Sequence, residues 1–154
     1  MEGSSAEHHR VVVRRRMPAP REIVFEAWID PLGMPEWMCP GDVVSAEAVV
    51  DVRVGGSFRI AMKSKGAEHV HVGTYQVVEP PAKLVFTWAG ADNPGEVTLV
   101  TVELFPYGDE SELVLTHERF LKPDLAKRYE TGWNTIADKF AAHLSRRKSE
   151  AEKR

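Results

Sequence analysis

The sequence predicts an α+β fold in which a curved antiparallel sheet wraps around one long C-terminal helix, with two short helices near the N-terminus. Three observations carry this. Leu125, Tyr129, Trp133, Ile136, Phe140 and Leu144 recur at steps of four, four, three, four and four, one apolar stripe along a helix. Residues 43–119 alternate with period two and are cut by glycine and proline turn signals, the texture of successive antiparallel strands. Ahead of them, Ile23, Val24, Ala27 and Trp28 fall at helical spacing.

Residues 1–8 read as a disordered leader, 9–146 as one domain and 147–154 as a charged tail. The valine-rich run His9–Arg16 suits a first strand, broken by Pro18 and Pro20. Arg21–Ile29 follows as a helix, stopped at Asp30-Pro31 because a residue before proline avoids the helical region. A second short helix is expected over Met34–Met38, ended by Pro40-Gly41. Strands are then expected over Val43–Val54, Ser57–Lys63, His69–Glu79, Lys83–Trp88, Val97–Phe105 and Glu112–Arg119. Gly55-Gly56, Ser64–Glu68, Pro80-Pro81, Ala89–Gly95 and Pro106–Glu110 separate them. Pro123 fits the first turn of the last helix, where a missing N–H costs nothing, and Asp124 complements the dipole there. Gly132 interrupts that helix at a cost of about 0.8–1 kcal/mol relative to alanine. Close approach of the sheet, or room for a ligand, would explain it.

Composition removes several classes of function. The chain has 154 residues and a net charge of −3, which fits one globular domain and argues against nucleic-acid binding. Arg14-Arg15-Arg16 and Arg146-Arg147-Lys148 read as solvated clusters. The single cysteine, Cys39, allows no intrachain disulfide, so a cytoplasmic setting is expected. Val11–Val13 is too short for a signal core or a membrane span. No phosphate-binding loop, dinucleotide glycine pattern, nucleophile elbow or paired C-x-x-C is present.

The candidate site residues are aromatic and histidine side chains assigned to the inner face. His117 continues the Leu113–Leu115 phase and points toward the helix, as an acid or base or as a hydrogen-bonded structural group. Trp37, Tyr75, Trp88 and Trp133 supply apolar walls with N–H or O–H handles, or plain core. Met38, Phe58, Met62, His71 and Tyr129 complete the expected ligand-binding set. His69 and His71 form an H-x-H, but His8, His9 and His143 give no convincing third ligand, so neither metal nor cofactor is expected. Glu47, Glu103 and Glu118 are strand carboxylates that a buried pairing would suit to acid–base work, but Glu103 and Glu118 are in outward phase; Arg59 would pair with a ligand carboxylate if turned inward and faces solvent if its strand is regular, and Cys39 has no adjacent base.

Five segments together resemble a known superfamily: VFEAWIDPLGMPEWMCP at 24–40, DVRVGGSFRI at 51–60, GTYQVVEPPAKLVFTW at 73–88, LVLTHERF at 113–120 and ETGW at 130–133. Their order resembles the helix-grip, START-like (SRPBCC) superfamily. The nearest likeness is to the family named after the activator of the heat-shock protein 90 ATPase. The resemblance implies binders of lipids, hormones or polyketide intermediates, or ring cyclases and hydrolases. The favoured expectation is a small hydrophobic ligand held in a cavity between sheet and C-terminal helix, without catalysis. The alternatives are a cyclase or hydrolase using His117 with Tyr75 as hydrogen-bond donor, and a chaperone-associated or regulatory interaction domain. A co-chaperone of this family carries a second, N-terminal domain for which this chain has no room, so a chaperone partner ranks last among the alternatives. A homodimer is left open.

Overall fold

The computed structural model describes residues 9–91 and 95–152. The expected leader, His8, the middle of the Ala89–Gly95 loop and the end of the tail therefore lie outside the described residues. The elements run β1 (His9–Met17), α1 (Arg21–Trp28), α2 (Met34–Trp37), β2 (Val43–Val50), β3 (Ser57–Ser64), β4 (Ala67–Glu79), β5 (Lys83–Gly90), β6 (Thr98–Tyr107), β7 (Glu110–Phe120) and α3 (Pro123–Glu152). The strands form one antiparallel sheet in the order β1-β7-β6-β5-β4-β3-β2. Every neighbour is a sequence neighbour except β1, which closes beside β7.

Alternation fixes which face is buried. Val11, Val13, Leu84, Phe86, Val100, Val102, Leu113, Leu115, Phe58 and Ile60 all turn inward and are almost fully buried. The α3 stripe meets them with Trp133, Ile136, Phe140 and Leu144. Each such side chain contributes about 1.5–3 kcal/mol of burial. Leu125 and Tyr129, nearer the start of α3, are only half-buried. Arg15, on the inner face of the β1 edge, ion-pairs with Asp138 and donates to Asn134 Oδ1 at 3.0 Å, which clips that edge to α3.

Several boundaries move for local reasons. β2 stops at Val50 because 51–56 folds into a turn, with Gly55 at φ +86° and the Gly55 N–H donating to Tyr75 O at 2.8 Å. β6 and β7 run on through Tyr107 and Glu110, leaving a two-residue turn on Gly108, whose φ is +62°. Helix α3 continues through Arg146-Arg147-Lys148. At Gly132 a Cβ would lie 3.4 Å from Pro40, so the chain that approaches this glycine is the segment after α2, not the sheet.

Gly73 is the opposite case. A Cβ there would fall 1.9 Å from Thr87 O and 2.5 Å from the Phe58 ring. Phe58 lies directly across the ladder and its ring fills the space over the missing side chain. Tyr75 and Phe86 ring centroids lie 5.5 and 5.4 Å from that of Phe58.

One irregularity resets a strand phase. Between the His9–Phe120 and Val11–His117 pairs, β7 spends one residue more than β1. The bulge carries Arg119 at φ +76°, a left-handed backbone that costs a non-glycine residue roughly 1–2 kcal/mol. It turns Phe120 inward, fully buried, where strict alternation from His117 would have turned Arg119 inward.

Candidate functional site

Short helices α1 and α2 close one end of the grip, over the C-terminal half of α3. Lys139 Nζ donates to Cys39 O at 2.6 Å, and Arg146 Nη2 donates to Glu36 Oε1 at 2.8 Å. His143 Nδ1 lies 3.2 Å from Glu36 Oε2, and the Arg146 hydrogen bond holds the Glu36 carboxyl below its usual range. Beneath this cap, Trp37 packs on Trp28 and Phe140 at centroid distances of 4.9 and 4.6 Å. A void of about 20 Å³ lies there, bordered by Met34, Met38, Phe58, Tyr75 and Trp88, room for about one water. Trp37 and Met62 border neither this void nor the cavity at the other end of α3.

A second cavity lies at the other end of α3, where the sheet diverges from the helix; a more open concavity of about 500 Å³ lies over the strands, bordered by Val49, Arg59, Val72 and Thr87. The cavity at the start of α3 has about 460 Å³, within the range of small-molecule sites. Trp88, Val97, Phe120, Leu121, Leu125 and Tyr129 form its apolar wall, and Glu96, Arg119 and Lys122 stand at its rim. Of the expected ligand-binding set it takes Trp88 and Tyr129. Phe120, Leu121 and Leu125 were not expected. Phe120 is hidden from sequence by the bulge, and Leu125 was visible only as the first residue of the stripe.

Behind the wall the aromatic rings run in one row. Trp37, Trp28, Trp133, Trp88 and His71 follow one another at centroid distances of 4.9, 6.3, 5.5 and 4.7 Å, the last pair stacked. Trp88 Nε1 donates to Tyr129 Oη at 3.1 Å, and the His71 Nε2 atom lies 3.5 Å from the same oxygen. His71 Nδ1 is buried with no hydrogen-bond partner among the described residues. Burial pushes the His71 pKa down to about 4 and raises that of Tyr129. His69 shares the inner face but stands exposed near the strand end, and no group of three metal-ligating side chains occurs among the described residues.

His117 is fully buried and both ring nitrogens are engaged. Thr98 Oγ1 donates its proton to Trp88 O at 2.9 Å, so its oxygen accepts from His117 Nε2–H at 2.6 Å. His117 Nδ1 accepts from Trp133 Nε1–H at 2.9 Å. These partners fix the neutral, Nε2-protonated tautomer. Burial pushes the pKa down to about 3. The ring therefore links three elements, β6, β7 and α3, and offers no nitrogen to a substrate.

The convergence of His117 and Tyr75 that the cyclase or hydrolase alternative requires does not form. Tyr75 pairs with Phe86, Phe86 with Val100 and Val100 with His117, which places the two residues three strands apart, roughly 14 Å along the sheet. Burial pushes the Tyr75 pKa up to about 12. Among the other candidates, Arg59 and Glu47 are exposed, Glu47 pairs with Lys63, and Glu103 and Glu118 face away from the core. Cys39 is buried, donates to Pro35 O, and has its thiol pKa raised by burial.

No helix of the described residues is long and apolar enough to cross a membrane. Comparison with solved structures finds the same architecture repeatedly. Mll3558 from Rhizobium loti is 30% identical with a TM-score of 0.74, over 89% of this chain and 97% of that one. CalU16 from Micromonospora echinospora is 23% identical with a TM-score of 0.69, over 95% and 82%. DynU16, from the dynemicin biosynthetic locus, is 21% identical with a TM-score of 0.74, over 88% of this chain and 47% of that one. The last two likenesses show the fold alone. No protein of curated function matches. Residues 18–145 match the family described as Activator of Hsp90 ATPase homolog 1-like protein, and the chain belongs to that family.

Proposed function

We propose that the protein binds a small, mostly apolar molecule in the cavity at the start of α3. The observation that carries this is the cavity itself: about 460 Å³, walled by Trp88 of the tryptophan row, by Phe120 and Tyr129, and by aliphatic side chains. The family and the fold support a ligand-binding or cyclase-type role, and binding without turnover accounts best for the residues present. The acid–base alternative rested on His117, whose nitrogens are both committed to Thr98 and Trp133. A buried, unpaired Cys39 fits a reducing compartment such as the cytoplasm.

The test is a thermal-shift screen with apolar and aromatic compounds, run on the wild type and on Leu125→Trp, whose indole takes up part of the cavity and obstructs its apolar wall. Ligands that stabilise the wild type should fail on the variant. Stabilisation that survives Leu125→Trp would place binding elsewhere and overturn the reading.

A further inference from the structure

The rim of this cavity says what kind of molecule enters it. Arg14, Arg15, Arg16, Arg53, Lys63 and Arg146 have carboxylate partners, and the other lysines and arginines have none among the described residues. Arg119 and Lys122 are among these unpaired cations, and both line the cavity, where Glu96 is the single lining carboxylate among the described residues. Arg119 is also the one described non-glycine residue with positive φ. A glycine or asparagine would carry that backbone more easily. The bulge thus holds an arginine at a conformational cost, and holds it where β7 leaves the sheet beside the cavity mouth. Bulges re-aim side chains in this way. Helix α3 starts one residue after Lys122, and its N-terminal end adds a partial positive charge that Asp124 offsets in part.

Resting on the cavity reading above, we infer that the ligand is an amphipathic anion, a planar apolar body carrying a carboxylate or similar acid. The body lies against Trp88, Phe120, Leu125 and Tyr129. The acid stays at the mouth, where the Arg119 guanidinium can receive it in a forked pair and Lys122 adds a second charge. The two cations reject uncharged molecules only weakly, because burial of the body supplies most of the affinity. They rank the acid above its neutral isostere.

The test uses two probes of nearly one shape, 2-naphthoate and 2-naphthamide, titrated calorimetrically into the full chain at low salt. The wild type should bind the acid at least about tenfold more tightly. In Arg119→Asn/Lys122→Gln the acid should weaken to the level of the amide, with the amide unchanged. Asparagine tolerates the left-handed backbone, so the bulge is retained. Lys122→Gln alone, outside the bulge, should lose at least about threefold of the preference. Equal binding of both probes by the wild type, or a preference that survives these variants, overturns the anion assignment and leaves the cavity reading intact. Binding of neither probe overturns both.

Discussion

Replacing His117 with alanine separates a structural histidine from a working one. The ring is fully buried, so its removal leaves a cavity of roughly 60 Å³, worth about 1.5 kcal/mol at ~24 cal/mol per Å³. Trp133 Nε1–H, 2.9 Å from the lost acceptor, is then a buried donor without a partner, at a further 1–3 kcal/mol or so. Thr98 keeps its bond to Trp88 O and loses only an optional one. The expected destabilisation is about 3–4 kcal/mol. His117→Asn offers an amide oxygen where Nδ1 sat and should recover about 1–2 kcal/mol of it. Urea unfolding followed by far-ultraviolet circular dichroism gives both numbers, with an unchanged slope against denaturant confirming that compactness is the same. A His117→Ala protein within about 1 kcal/mol of wild type that nonetheless loses ligand binding would refute the reasoning, and would return the residue to the site.

Other outcomes follow from the same packing. His117 and His71 have folded-state pKa values of about 3 and about 4, below the ordinary 6.5, because burial penalises their charged forms. The unfolded chain therefore binds more protons, and stability present above pH 6.5 should fall as the pH drops toward 4, by up to about 1.4 kcal/mol per pH unit for each histidine; a stability flat over that window in urea melts would contradict both assignments. Gly73→Ala should cost about 3 kcal/mol or more, since the new methyl meets a strand carbonyl and the Phe58 ring, and near-wild-type unfolding would show that β4 and β5 separate freely there. Gly132→Ala should instead stabilise by up to about 1 kcal/mol, because its Cβ makes only an ordinary contact with Pro40, and should raise Tm by about 2–4 °C. A lowered Tm would mean that the segment after α2 has no room to give.

What the sequence revealed depended on how local the cause was. The α3 stripe and the inward phases of Phe58, Ile60, Leu84, Phe86 and Leu113 follow from periodicity, and the structure buries all of them. His117 was correctly turned inward by the same rule. Its partners were not legible, because Thr98 and Trp133 come from a different strand and a helix. The bulge at Arg119 leaves no local mark, so Phe120 was missed as a wall and Arg119 as a rim residue. Position along α3 was equally hidden. Nothing near Trp37 or Met38 reveals that the cap sits over Phe140 rather than over Tyr129, and so neither could be placed relative to the cavity at the start of α3, which they do not line.

The placing of β1 beside β7 has a consequence for synthesis. Every other strand finds its neighbour across a short connection, and β1 alone must wait for a partner about 100 residues downstream. At ~5–20 residues per second the ribosome leaves Val11-Val12-Val13 unpaired for about 5–20 s. A short, β-prone apolar run in that position is an aggregation hazard, and a flanking block of charge is the usual guard. Arg14, Arg15 and Arg16 follow it directly. In the finished protein these arginines reach Glu112, Asp138 and Glu110. Before β7 and α3 emerge, none of those carboxylates exists, and the three charges act on the nascent chain alone, keeping its first strand apart from its neighbours until the strand that claims it arrives.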